Sequence, residues 1–324
     1  MTRGRLFRLA VAIGLTAYVL WRAAPSQVIG AAAGVDVKWV VEACALVVFD
    51  RALMAYRWWL LLCTIDPQHR PPLPVILRIF FVSTFVGTFL PSVGGDVYRA
   101  YSLARYGVRG AQAASSVLMD RLLGVVSILV MAAAGLVLAT RLASNPAVIT
   151  ALVLGAVGSA AALGAVLSPQ LASLGTRVVQ AMPESRVRRI AGELIAAIRD
   201  FSRFRRTLLY VLVLSIGVQI LRVVQAYCLG RGLHIGLPVS LYFAVLPTIL
   251  LVMLLPVTIS GLGTGQWAFV GLFGEFGVPA ASAFALSVLF IALGIVGNLP
   301  GAALYVHEGR PGGRETDELP RARP

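Results

Sequence analysis

An apolar run beginning at Ile79 is broken at Thr88-Phe89-Leu90-Pro91-Ser92-Val93-Gly94-Gly95-Asp96-Val97-Tyr98-Arg99 by a proline, two adjacent glycines and two charges. No ordinary membrane span reads this way. Lipid offers no partner to backbone N–H and C=O groups, so a break at membrane depth survives only where protein or a water-filled cavity covers it. A helix over residues 79–90 reaches about 18 Å into a hydrocarbon core of about 30 Å. The segment is too short to cross. It is expected to enter from the cytoplasm, turn and return, with Asp96 capping the returning helix and Arg99, Arg105 and Arg109 drawing it back.

The rest of the chain has the composition of a membrane bundle. Its 324 residues are 58% hydrophobic and 13% charged, with mean hydropathy +0.85, which excludes a soluble globule. No stretch between the apolar runs can bury a core of its own, so residues 1–306 read as a single membrane domain. The net charge of +14 comes from arginine, Lys38 being the sole lysine. These arginines flank the apolar runs, where the positive-inside rule and anionic headgroups at the cytoplasmic surface account for them without a nucleic-acid partner. Cys44, Cys63 and Cys228 lie scattered in apolar segments and read as packing residues, with no disulfide framework or metal site indicated.

A basic start, Arg3, Arg5 and Arg8, precedes an uncleaved first span and keeps the amino terminus cytoplasmic. The second span, near 39–63, carries Glu42, Asp50, Arg51 and Arg57, a load that should face the bundle interior. One helical face can present Asp50 and Arg57 together behind the binding site. Arg57, followed by Trp58 and Trp59, also has the pattern of an interfacial anchor whose head snorkels to the cytoplasm. Asp120-Arg121 sits in the next span, where neighbours in sequence do not face each other. One of the two is therefore expected to meet Asp96, Arg99 or the second span. Gly155, Gly158, Ser159 and Gly164 suit close packing. Residues 168–206 form a basic amphipathic segment, with Val187, Ile190, Leu194, Ile198 and Phe201 as its stripe, either lying on the membrane surface or linking the halves 1–167 and 207–306. The tail, 307–324, is expected to be disordered and cytoplasmic.

A second break, Pro256 to Trp267, contains Ser260-Gly261-Leu262-Gly263-Thr264-Gly265-Gln266, with Thr264 as the cap of the helix that follows. If neither broken segment crosses, about six helices span, both termini are cytoplasmic and the second hairpin enters from outside. The fold class is then an all-α polytopic membrane protein with two re-entrant broken-helix hairpins in an inverted repeat. Such repeats aim half-helix N-termini at anionic groups near the midplane. A phosphate-bearing headgroup is the anion a membrane supplies. Gly94, Gly95, Asp96, Arg99, Asp120, Arg121 and Arg222 in one set, and Gly263, Thr264 and Gln266 at the other tip, are the candidate headgroup residues.

The ordered set Leu90-Pro91-Ser92-Val93-Gly94-Gly95-Asp96-Val97-Tyr98-Arg99, Asp120-Arg121-Leu122-Leu123-Gly124 and Leu255-Pro256 to Gly261-Leu262-Gly263 resembles the lysylphosphatidylglycerol synthase transmembrane-domain family, the flippase-like domain of the multiple peptide resistance factor. The resemblance implies a bacterial inner-membrane protein concerned with lipid translocation. Its best-known branch acts on aminoacylated phospholipids, and others on lipid-linked substrates. Where the family often has an Arg-Glu pair, this chain has Gly265-Gln266, so the outer tip is neutral and the first hairpin should hold a charged headgroup more strongly. The expected function is a lipid flippase, with a phospholipid or lipid-linked intermediate as partner; association with copies of itself stays open. The alternative is a membrane enzyme or accessory subunit in polyisoprenoid glycolipid synthesis. Neither a phosphate-binding loop nor zinc-ligand spacing appears, and no aminoacyl-transferase domain follows, so no cofactor and no enzymatic activity are expected.

Overall fold

The computed structural model describes residues 17–18, 20–21, 23, 25–65, 70–89, 94–104, 106–138, 146–167, 177 and 186–254, together with 263–308. The tips Leu90 to Val93 and Leu255 to Leu262, Arg3, Arg5, Arg8, Arg105 and the tail beyond Glu308 lie outside these residues. Among the described residues all regular structure is helical.

Helix α1 is Pro25–Ala33 and α2 is Val37–Ile65. Asp36 starts α2 by accepting the Lys38 N–H on its carboxylate at 3.0 Å, which satisfies one of the orphan donors of a first turn. The prolines Pro71 and Pro72 end the next connection, and the carbonyl of Pro72 receives the Val75 and Ile76 N–H groups as α3, Leu73–Phe89, begins. After the first break come α4, Gly94–Ala104, and α5, Gly110–Leu138. Then follow α6, Pro146–Leu167, and α7, Arg186–Asp200, which closes in a 3-10 turn, Phe201–Arg203. The second half holds α8, Arg205–Gly232, α9, Val239–Leu254, α10, Thr264–Gly274, and α11, Ala280–Glu308.

Among the described residues three stretches, Gly110–Val137, Arg205–Gly232 and Ala280–Tyr305, are long and apolar enough to cross a membrane. Helix α2 matches them in length but carries five charges, Lys38, Glu42, Asp50, Arg51 and Arg57. The two halves repeat one pattern. Helices α2, α3, α4 and α5 contain 29, 17, 11 and 29 residues, and α8, α9, α10 and α11 contain 28, 16, 11 and 29. Exchanging α2 with α8, α3 with α9, α4 with α10 and α5 with α11 turns each packed pair into another packed pair. Thus α3 lies on α11 as α9 lies on α5, while α2 and α8 form the central pair. Helix α1 on α11 likewise corresponds to α6 on α5.

The two crossed contacts both rest on a glycine. A Cβ on Gly135 of α5 would lie 2.8 Å from the Ala244 carbonyl oxygen of α9, and one on Gly301 of α11 would overlap the Phe81 carbonyl of α3. Only such positions let helix backbones approach this closely. In α6 the expectation of close packing holds at Gly155, against Leu129 and Leu251, whereas Gly158 has nothing within 4 Å.

The buried stripe of the basic segment meets protein. Ala197 and Phe201 pack with Leu61, Met119, Leu123, Leu208 and Val211, so the end of α7 is seated on the bundle. The side chains of Arg186, Val187 and Ile190 lie outside the described residues.

Candidate headgroup site at the first break

Helices α2, α3, α4, α5 and α8 bring one charged network together beside the first break. Arg57 is 3% exposed and donates from Nε to Asp120 Oδ1 at 2.8 Å and from Nη1 to Ser215 Oγ at 2.7 Å. The interfacial-anchor pattern at Arg57 is therefore corrected. Its neighbour Trp58 is fully buried and donates from Nε1 to Ser116, because this end of α2 is enclosed by α3, α4 and α5. Arg99 donates from Nε to Ser83 Oγ at 3.0 Å, and its Nη1 lies 3.7 Å from Asp120 Oδ2 and 3.9 Å from Asp96 Oδ1. Its guanidinium rests 4.2 Å from the centre of the Phe80 ring and 5.4 Å from that of Trp58, a cation–π cradle that compensates part of its lost hydration.

Asp96 stands in the first turn of α4, as the third residue rather than as its cap, because the helix already starts at Gly94. Both of its carboxylate oxygens accept from Arg121, at 2.9 and 3.1 Å. The carboxylate lies at the positive end of the helix, where it is favoured. Gly95 allows this turn to sit on α3, since a Cβ there would come within 2.6 Å of the Ser83 carbonyl oxygen. Of the network's members only Arg121 is well exposed, its side chain being 56% accessible. Asp120 and Arg121 thus reach different partners, as adjacent helical residues must.

Asp50 and Arg222 are elsewhere. Asp50 accepts from Arg51 at 2.9 Å and lies 3.7 Å from Arg222 Nε, so it does not join Arg57. Arg51 donates to Asn298 Oδ1 at 3.1 Å, and Asn298 donates to Thr88 Oγ1 at 3.0 Å near the end of α3. The seven-residue spacing put Asp50 and Arg57 on one face, yet two turns of helix separate their networks by about 10 Å.

At the second break Gly263, with φ 85°, precedes α10. Gln266 caps it, accepting the Gly263 N–H on Oε1, so Thr264 is the first helical residue rather than the cap. Gln266 is 3% exposed and its acceptor is engaged within the protein. Counted from the start of each helix, Asp96 and Gln266 are both third, Arg99 and Phe269 both sixth, and Asp120 and Phe290 both eleventh. The ionic pair Arg99–Asp120 of the first half is matched by an aromatic pair, Phe269 and Phe290, with ring centres 5.8 Å apart.

The sequence pointed to Asp96, Arg99, Asp120 and Arg121 but not to Ser83, Ser215 or the Phe80 ring, since serines and phenylalanines inside apolar runs carry no signal until a partner is known. Asn298 did carry one, as a polar residue within a span. Among the described residues no three His, Cys, Asp or Glu side chains converge as metal ligands would.

Residues 5–301 match the family described as "Lysylphosphatidylglycerol synthase TM region". The chain belongs to that family. Among curated proteins no relative was matched. A match that runs through both halves and into α11 makes this a multi-pass, all-α membrane protein of the lysylphosphatidylglycerol synthase TM region family.

Proposed function

We propose that this protein moves a phospholipid or lipid-linked intermediate between the leaflets of the bacterial inner membrane. The reading takes α3–α4 and α9–α10 as re-entrant hairpins inserted from opposite faces, about six helices as spans, and both termini as cytoplasmic. The exchange of packed pairs between the halves supports an internal repeat, and with the hairpins entering from opposite faces that repeat is inverted, the kind in which alternating access arises by rocking one half on the other.

The observation that carries the reading is the charge at the first break. Arg57, Arg99 and Arg121 share two carboxylates, Asp96 and Asp120, which leaves one positive charge in excess. A phosphodiester supplies one negative charge. Arg121 is the exposed member, and it can exchange Asp96 for a phosphate at the start of α4, where the helix end favours an anion. Rebinding of Asp96 then releases the headgroup at the other side. In this scheme the carboxylates are charge partners and not acid–base catalysts, because Asp50, Asp96 and Asp120 each face an arginine. The test is a vesicle assay with labelled phospholipids and lipid-linked sugars. Wild-type protein should accelerate exchange between leaflets and Arg121→Gln should slow it; unchanged leaflet distribution for all these lipids would sink the proposal. Product formation by purified protein, lost in Asp96→Asn, would instead support the enzymatic alternative.

A further inference from the structure

Asp50, Arg51, Arg222, Gln225, Phe290 and Gly294 line a cavity of about 120 Å³ where α2, α8 and α11 meet. Its cations exceed its anions, since Arg51 and Arg222 face the single carboxylate of Asp50. Arg51 is well supplied, by Asp50 Oδ2 at 2.9 Å and Asn298 Oδ1 at 3.1 Å. Arg222 is not. Its contacts are the Met54 sulfur at 3.4 Å, a weak acceptor, and Asp50 beyond hydrogen-bond reach at 3.7 Å. Gln225, 3% exposed, donates from Nε2 to no protein acceptor, and Asp50 Oδ1 receives no hydrogen bond.

The repeat explains the imbalance. Gln225 is the twenty-first residue of α8 as Arg57 is of α2, and Gly294 is the fifteenth of α11 as Gly124 is of α5. Gln219 donates to Ser127 much as Arg51, at the matching place in α2, donates to Asn298. In the first half Asp120 supplies the anion at this position, whereas the second half has Phe290. A guanidinium and an amide donor are therefore left without the carboxylate that the corresponding place in the other half contains.

We propose that this cavity binds an oxyanion of the phosphate class, with Arg222 and Gln225 as donors and a hydroxyl of the same ligand donating to Asp50 Oδ1. A phosphodiester carrying a glycerol or sugar hydroxyl meets all three requirements, and so does a free, singly protonated phosphate. The site shares no residue with the Asp96–Arg121 pair, and its binding chemistry does not depend on lipid movement.

Binding is measured with the full-length purified protein in detergent, by calorimetry, using inorganic phosphate and dihexanoyl phosphatidylglycerol as separate probes. Wild-type protein should bind at least one. Binding of inorganic phosphate assigns a free-ion site, and binding of the lipid alone assigns a headgroup site. Arg222→Gln should weaken binding by about tenfold or more and Gln225→Leu by a few-fold, as expected for a charge-assisted and a neutral hydrogen bond. Phe290→Asp, which restores the missing carboxylate, should displace the ligand outright. Thermal unfolding of each variant without probe establishes that it is folded, and Arg222→Gln decides the matter if Phe290→Asp does not fold. Binding of neither probe would overturn the inference. So would affinity that is lost in Arg121→Gln but unchanged in Arg222→Gln, a result that would leave the proposal for the first break standing.

Discussion

Arg57 and Asp120 meet at 2.8 Å with side chains only 4% and 2% exposed, and Ser215 Oγ accepts a hydrogen bond from the same guanidinium. Removing one partner of such a pair leaves a charge in a place that cannot hydrate it. Asp120→Ala should therefore destabilise the protein by about 3–5 kcal/mol. The double variant Arg57→Met, Asp120→Leu removes both charges and should recover most of that loss, since apolar replacement of a whole buried pair is often neutral. Thermal unfolding in detergent measures both. A double variant no more stable than the single one would show that Asp120 acts chiefly through Arg99.

The neighbouring pair behaves in the opposite way. Arg121 is exposed, and exposed ion pairs contribute about 0–1 kcal/mol. Arg121→Gln should leave the unfolding midpoint nearly unchanged while slowing lipid exchange in vesicles. Slowed exchange together with a large stability loss would make Arg121 a structural residue and remove it from the binding scheme.

Close contact at the first break gives a steric prediction. Ala at Gly95 places a methyl group 2.6 Å from the Ser83 carbonyl oxygen, a backbone atom that cannot swing aside, so Gly95→Ala should cost about 1–3 kcal/mol through displacement of α4 from α3. At Gly271 in α10 a methyl group would have nothing within 4 Å, and Gly271→Ala should be neutral or stabilising by up to about 1 kcal/mol. Equal effects of the two substitutions on unfolding would refute this packing account.

Much of this architecture is legible in the sequence for a physical reason. Backbone groups in lipid must be satisfied within helices, so apolar runs and their breaks fix the elements. Pro91 to Arg99 marked a break between α3 and α4, and Pro256 to Gln266 one between α9 and α10. Charges inside spans announced that they must be paired, and Asp120 and Arg121 did find the second span and Asp96. The pairing itself was not legible, because helix periodicity places Asp50 and Arg57 on one face without saying which helix covers each turn. Cap assignments also shifted, because Gly263 and Gln266 together do what a threonine side chain was expected to do. The replacement of Arg99 and Asp120 by Phe269 and Phe290 becomes visible only once the two halves can be laid in register.

The start of α10 allows that capping arrangement to be tested directly. Gln266 Oε1 accepts the Gly263 N–H, and both residues are buried. Leucine at position 266 fits an apolar site but removes the acceptor, leaving a buried donor unpaired at a cost of about 1–3 kcal/mol. Glutamate keeps the acceptor, and the helix first turn favours its negative charge, which offsets part of the cost of placing a carboxylate at this buried position. Gln266→Leu should therefore speed amide hydrogen exchange in the peptide that covers the start of α10, and Gln266→Glu should leave protection nearer to the wild-type level. Gly263 adds an independent constraint, because its φ of 85° and ψ of −58° lie in the γ-turn region, where residues with a Cβ are strained by about 1–3 kcal/mol. Gly263→Ala should weaken protection in the same peptide even with Gln266 intact. Unchanged exchange in both Gln266→Leu and Gly263→Ala would show that the start of α10 is held by its packing on α9 and α11 rather than by its cap.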